Sequence, residues 1–172
     1  MKIATWNVNS LSVRLPQVLA WLNANPVDAL CLQELKLTDD KFPHGAFKEV
    51  GYEAVAFGQK TYNGVAIVSR KPVRDVARNI AGFPDGQARV LAATLDTPAG
   101  PLRLINGYFV NGQEPGSEKL AYKMRWLQAL QDMVRAELQA HPQLALVGDF
   151  NVAPEDRDSY DPEGLRGTIH HT

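Results

Sequence analysis

Three stretches of strand length and apolar character end in side chains that carry oxygen, which suggests one site assembled from several strand tips. At 144–151 the sequence reads LALVGDFN: an apolar run, a glycine, then Asp149 and Asn151 with Phe150 between them. Alternate residues of an extended chain face the same side, so Asp149 and Asn151 are expected to project together while Phe150 turns back to the core. At 2–9 the string KIATWNVN is a strand ending in Asn7 and Asn9, and at 29–34 ALCLQE is an apolar strand tipped by Gln33 and Glu34. Taken singly, an Asp or Asn after a strand is most often a turn residue or a helix cap. Glu34 resists that reading, because a carboxylate set directly behind an apolar run needs a partner or a metal. The joint pattern points to a hard-cation site.

The rest of the chain supplies an α/β frame for those tips. Pro16 sits where a helix can begin, Leu15, Val18, Leu19 and Leu22 recur at helical spacing, and Asn25-Pro26 ends the run. The strand at 28–33 then completes a β-α-β unit with a parallel crossover. A short irregular helical stretch at 39–50 leads into β-rich runs at 52–57, 64–69, 73–79, 88–95 and 102–109, separated by turn signals at 62–64, 84–86 and 98–101. A long amphipathic helix follows at 117–139, with Leu120, Met124, Leu127, Leu130, Val134 and Leu138 as its apolar stripe. The strand at 143–147 returns to the core, and from Ala153 onward the sequence is polar loop.

A length of 172 residues suits one domain. No apolar run reaches membrane-spanning length and the N-terminus lacks a signal peptide's apolar stretch, so a cytoplasmic protein is expected. Cys31 is the only cysteine and lies in an apolar strand, where it reads as a small buried hydrophobe. The formal net charge of −1 gives no bulk attraction to nucleic acid. Affinity for phosphates must come from local groups, of which Lys60, Arg70, Lys71, Arg89, Lys119, Lys123 and Arg125 are candidates.

The strings Trp6-Asn7-Val8-Asn9, Leu32-Gln33-Glu34, Gly64-Val65-Ala66-Ile67, Asn106-Gly107-Tyr108 and Gly148-Asp149-Phe150-Asn151 occur in an order that resembles the successive motifs of the exonuclease III family. That family holds bacterial abasic-site endonucleases and 3′-exonucleases within the endonuclease/exonuclease/phosphatase superfamily. The resemblance implies a four-layer α-β-β-α sandwich of two packed mixed sheets with outer helices, and a monomer acting on double-stranded DNA with nicks, 3′ ends or abasic sites. Family members continue to another Asp-bearing strand and a terminal Ser-Asp-His motif that supplies a catalytic histidine. The chain is therefore expected to be an N-terminal two-thirds, with part of a sheet and an outer helix missing, an unpaired apolar edge, and no activity alone.

Glu34 is the strongest candidate metal ligand, with Asn7 lending a carbonyl oxygen, and so few oxygens suit Mg²⁺ or Mn²⁺. Zinc is not expected, since no His or Cys ligands stand at zinc spacing. Asp149 is the expected acceptor or orienter of the attacking water, and Asn151 the donor to a developing oxyanion. Tyr108 would bond a phosphate oxygen through its hydroxyl, and Asn106 could brace the neighbouring acids. Arg89, Asn111, Tyr62 and Asn63 match positions where relatives touch DNA, contacts that position a duplex without reading its sequence. His170 and His171 lie in the loop after the Asp149–Asn151 tip. They belong to a plain surface segment or narrow the pocket for a flipped-out abasic sugar. Three rivals remain on sequence alone: an inositol-lipid phosphatase or a sphingomyelinase of the same superfamily, which share the Asn, Glu and Asp-x-Asn motifs, and a non-catalytic fragment.

Overall fold

In the strand β2 (Ala29–Gln33) every residue is buried, because it is covered on both faces. Leu30 and Leu32 point to one apolar cluster, and Ala29 and Cys31 to another. That period-2 division is what a central strand of a layered sandwich requires. The computed structural model describes residues 1–114 and 116–168. Strand β1 (Ile3–Asn7) pairs parallel with β2 across the helix α1 (Leu11–Ala24). A 3₁₀ turn at Asp39–Lys41 and the short helix α2 (His44–Glu49) lead to β3 (Glu53–Phe57) and β4 (Val65–Ser69). The first sheet has the order β1-β2-β4-β3. The second runs β5 (Arg74–Arg78), β6 (Val90–Thr97), β7 (Gly100–Tyr108) and β8 (Leu144–Asp149), with β7 and β8 parallel across the helix α3 (Glu118–Ala140).

Three apolar clusters separate four layers. One lies between α1, α2 and the first sheet, around Leu11, Val18, Phe47 and Leu30. The middle one lies between the sheets, where Ala29, Cys31 and Ile67 meet Leu91, Ala93 and Leu104. The third holds α3 on the second sheet through Trp126 and Leu130 against Val90, Ala92 and Ile105. The α-β-β-α sandwich is as the sequence implies. Strand β8 borders its sheet, with its residues half-buried.

Three local expectations are corrected. Helix α1 begins at Leu11, so Pro16 lies inside it and not at its start. Both Pro16 and Ser12, whose carbonyl loses its donor, are exposed, so water can take the missing bond. The first turn is anchored instead by Ser10 N and Leu11 N donating to the Glu34 and Leu35 carbonyls. On α3 the buried side chains are Lys123, Trp126 and Leu130, while Met124 and Leu138 of the expected stripe are 59% and 48% exposed. Trp126 sets the helix rotation, because its ring packs edge-on against Phe109 at 5.2 Å. The tail after Ala153 is not all loop: it carries a 3₁₀ turn at Asp156–Asp158 and the single turn α4 (Pro162–Leu165), capped by Asp161 with proline in its first turn.

Candidate active site

The C-terminal tips of β1, β2, β7 and β8 meet at one end of the sandwich. Parallel pairing aligns Asn7 with Gln33 and Tyr108 with Asp149. Asn7 Nδ2 donates to Glu34 Oε1 at 2.8 Å and to Asp149 Oδ2 at 2.7 Å, so one amide joins residues 142 positions apart in sequence and holds both carboxylates. Asn7 Oδ1 accepts from the Asn9 backbone N–H at 2.9 Å. Asn7 thus presents its nitrogen to the two acids and acts as their spacer.

Glu34 takes the left-handed backbone at φ 56°, as do Asn9, Lys36 and Asn151 at 43°, 55° and 48°. For a glutamate this conformation costs on the order of 1–2 kcal/mol and persists only where surrounding bonds enforce it. Here Ser10 N binds the Glu34 carbonyl and Leu35 N binds the Gly64 carbonyl. The Glu34 carboxylate also meets Lys36 Nζ at 3.1 Å. Burial by itself would raise its pKa, but the bonds from Asn7, Lys36 and Tyr108 outweigh burial and hold it below the usual carboxylate value. The Tyr108 phenol is pushed well above its ordinary value, first by burial and then by the bond to Glu34 and its charge. Tyr108 is therefore a neutral donor at physiological pH.

Gly148 lets β8 close on β7. A Cβ there, at φ 144°, would stand 1.9 Å from the Gly107 carbonyl oxygen. The turn beyond is tied down: Asn151 N donates to Asp149 Oδ1 at 3.0 Å, and Asn151 Nδ2 donates to the Phe109 carbonyl at 2.9 Å. Phe150 does not point into the core as the alternation suggests, because β8 ends at Asp149 and Asn151 turns left-handed. The Phe150 ring is 40% exposed and lies on Phe109 at 4.4 Å. Behind the site, buried Gln33 donates to Thr5 Oγ1 at 2.9 Å and to Asn106 Oδ1 at 2.7 Å, and Asn106 donates to the Leu32 and Ala66 carbonyls at 2.9 Å. Asn106 thus stitches the two sheets together directly beneath the tips.

The expected DNA-contact residues divide. Tyr62 is 67% exposed and Asn111 is exposed at the rim. Asn63 is buried, its amide held by Gln59 and Gln87, which makes it a turn residue and not a surface contact. Arg89 is also largely buried: its guanidinium is bound by Gln87 and the Tyr108 carbonyl and lies 5.0 Å from the Tyr108 ring centre. It braces Tyr108. His170 and His171 lie outside the described residues. Sequence reasoning missed Lys36, whose signal was only a lysine two places after Glu34 at a strand end, and the role of Gln33. The left-handed positions at Asn9, Glu34, Lys36 and Asn151 could not be located from residue type.

Residues 4–169 match the endonuclease/exonuclease/phosphatase family. The chain belongs to that family. It is 33% identical over 163 residues to exodeoxyribonuclease III of Haemophilus influenzae, covering 92% of this chain and 60% of that protein. Among solved structures it is similar to the 3′ phosphatase NExo of Neisseria bound to a product DNA hairpin, at 52% identity and TM-score 0.93, covering 99% of this chain and 65% of that one. An AP endonuclease from Archaeoglobus fulgidus follows the same fold at 36% identity and TM-score 0.88, covering 100% of this chain and 65% of that one. The chain thus spans under two-thirds of the length of these relatives. The resemblance to exonuclease III proteins holds, and so does the sandwich it implied. No helix among the described residues is long and apolar enough to cross a membrane.

Proposed function

We propose that this protein is a divalent-cation-dependent DNA phosphodiesterase of DNA repair, working as a cytoplasmic monomer as a 3′-exonuclease, 3′-phosphatase or abasic-site endonuclease. The observation that carries the reading is the single Asn7 amide that holds both the Glu34 and Asp149 carboxylates, beside a neutral tyrosine. The donor set is oxygen only, and no cluster of three or more His, Cys, Asp or Glu exists among the described residues. So few protein ligands suit Mg²⁺ or Mn²⁺, which keep several waters and share coordination with substrate phosphate. Glu34 would hold the ion. The bound cation would polarise a phosphoryl oxygen and stabilise charge on the leaving oxygen.

The chain's own groups supply the rest. Asp149, fixed by Asn7 on one oxygen and Asn151 on the other, orients the attacking water and takes its proton. Tyr108 offers its hydroxyl to a phosphate oxygen in place of Glu34, and Arg89 keeps the ring from swinging. Asn151 faces the same phosphate from the β8 side. A groove at the start of α3, lined by Arg89, Gln113, Glu118, Lys119, Tyr122 and Arg125, carries a local excess of positive charge that the net charge of −1 does not suggest. The exposed Asn111 and Tyr62 would add duplex contacts.

A substrate panel tests this in the full-length protein: 3′-phosphate, nicked and abasic duplexes beside inositol phosphates and sphingomyelin, each with Mg²⁺ and with chelator. Cation-dependent release from the DNA substrates alone supports the reading. Turnover confined to the inositol or lipid substrates, or none at all, rejects it in favour of a superfamily phosphatase, a sphingomyelinase or a non-catalytic protein.

A further inference from the structure

Lys123 is a buried ammonium whose purpose the core does not explain. It lies on the packed face of α3 with Trp126 and Leu130 and is only 6% exposed. Its Nζ donates to the Asn151 carbonyl at 3.0 Å. Among the described residues no carboxylate lies within ion-pair distance of it, and burial lowers its pKa. A methionine would fill the same space without that cost, and replacing a buried, unpaired charge by an apolar side chain is commonly neutral or stabilising. Apolar packing therefore gives no reason for a lysine here.

Its single partner gives one. The Asn151 carbonyl belongs to a left-handed turn whose N–H holds Asp149 Oδ1 and whose side chain holds the Phe109 carbonyl. The opposite oxygen of Asp149 is held by Asn7 from the other sheet. A shift of the Asn151 backbone would release Oδ1 and let the carboxylate turn about its bond to Asn7. We infer that Lys123 is a positioning residue: by clamping the Asn151 carbonyl from α3, it fixes where the Asp149 carboxylate stands relative to Glu34. This rests on the nuclease reading for its consequence in turnover, but not for its consequence in the turn itself.

The test uses full-length protein carrying Lys123→Met or Lys123→Arg, with kcat and KM on a 3′-phosphate duplex, melting temperature, and amide hydrogen exchange over 148–153. K123M is expected to melt at or above wild type, with kcat falling about ten- to hundredfold, KM moving less than about threefold, and exchange at the Asn151 N–H rising about tenfold. K123R, which keeps a donor, should recover most of the lost kcat and protection. Unchanged exchange in K123M overturns the inference, whatever the activity. So does a fall of kcat and melting temperature together that K123R does not reverse, which marks a structural lysine. A wild-type protein silent on every DNA substrate rejects the nuclease reading, while the exchange measurement still decides the role of Lys123 in the turn.

Discussion

Glu34 concentrates the chemistry and the strain of the site in one residue. Its left-handed backbone, its bond to Asn7 and its ion pair with Lys36 all serve one carboxylate. Because its folded pKa is lowered, it contributes stability that is present above the ordinary carboxylate value of about 4 and lost as pH falls through the depressed value. Glu34→Gln, studied in chelator, should therefore show a shallower loss of unfolding free energy between neutral pH and about pH 3 than wild type. Equal slopes would mean that the carboxylate is not held as described. The same substitution should cost at least about tenfold in apparent Mg²⁺ affinity, read by activity against metal concentration. The importance of this position was legible because a carboxylate followed an apolar run. The arrangement around it was not, since residue type does not announce four left-handed turns at Asn9, Glu34, Lys36 and Asn151.

At the scale of elements, β7 does more than its sequence suggests. Asn106 lies in the middle of the sandwich at 0% exposure, and its amide reaches across to carbonyls of β2 and β4 while accepting from Gln33. An amide inside an apolar strand is tolerable only when fully bonded, and this one is. Asn106→Leu should destabilise by about 1–3 kcal/mol in urea unfolding, because the Gln33 amide and the carbonyls lose their partner. A neutral effect would show that the inter-sheet bonds are dispensable. Helix α3 shows the opposite limit of sequence reasoning. Its existence and length were clear from periodicity, but its rotation was not, because a tryptophan and a buried lysine took places that a leucine count assigned elsewhere. Pro16 does not start the helix for a related reason: a local rule loses to the backbone anchors that Glu34 and Leu35, just past β2, provide at Ser10 and Leu11.

Across the whole molecule, two β-α-β crossovers deliver four strand tips to one end, and that plan follows from the order of apolar runs and turns. The sequence could not show that Asn63 and Arg89 would be drawn inward, since Gln59 and Gln87 capture them only once the sheets have packed. In the proposed function, the charge offered to phosphate then rests with Lys119 and Arg125 along the groove at the start of α3. Lys119→Ala and Arg125→Ala should each weaken duplex binding and reduce the slope of log affinity against log salt by about 1. Unaltered slopes would remove that groove from the DNA path. The most direct measurement is single-turnover cleavage and duplex affinity of Asp149→Asn in the full-length protein, with Mg²⁺ present. The expected result is turnover reduced by about 10²–10⁴ with binding kept or tightened, because the proton acceptor is lost while a negative charge near phosphate is removed. Turnover near wild type, or binding and turnover lost together, would contradict the assignment of Asp149 as the group that activates water.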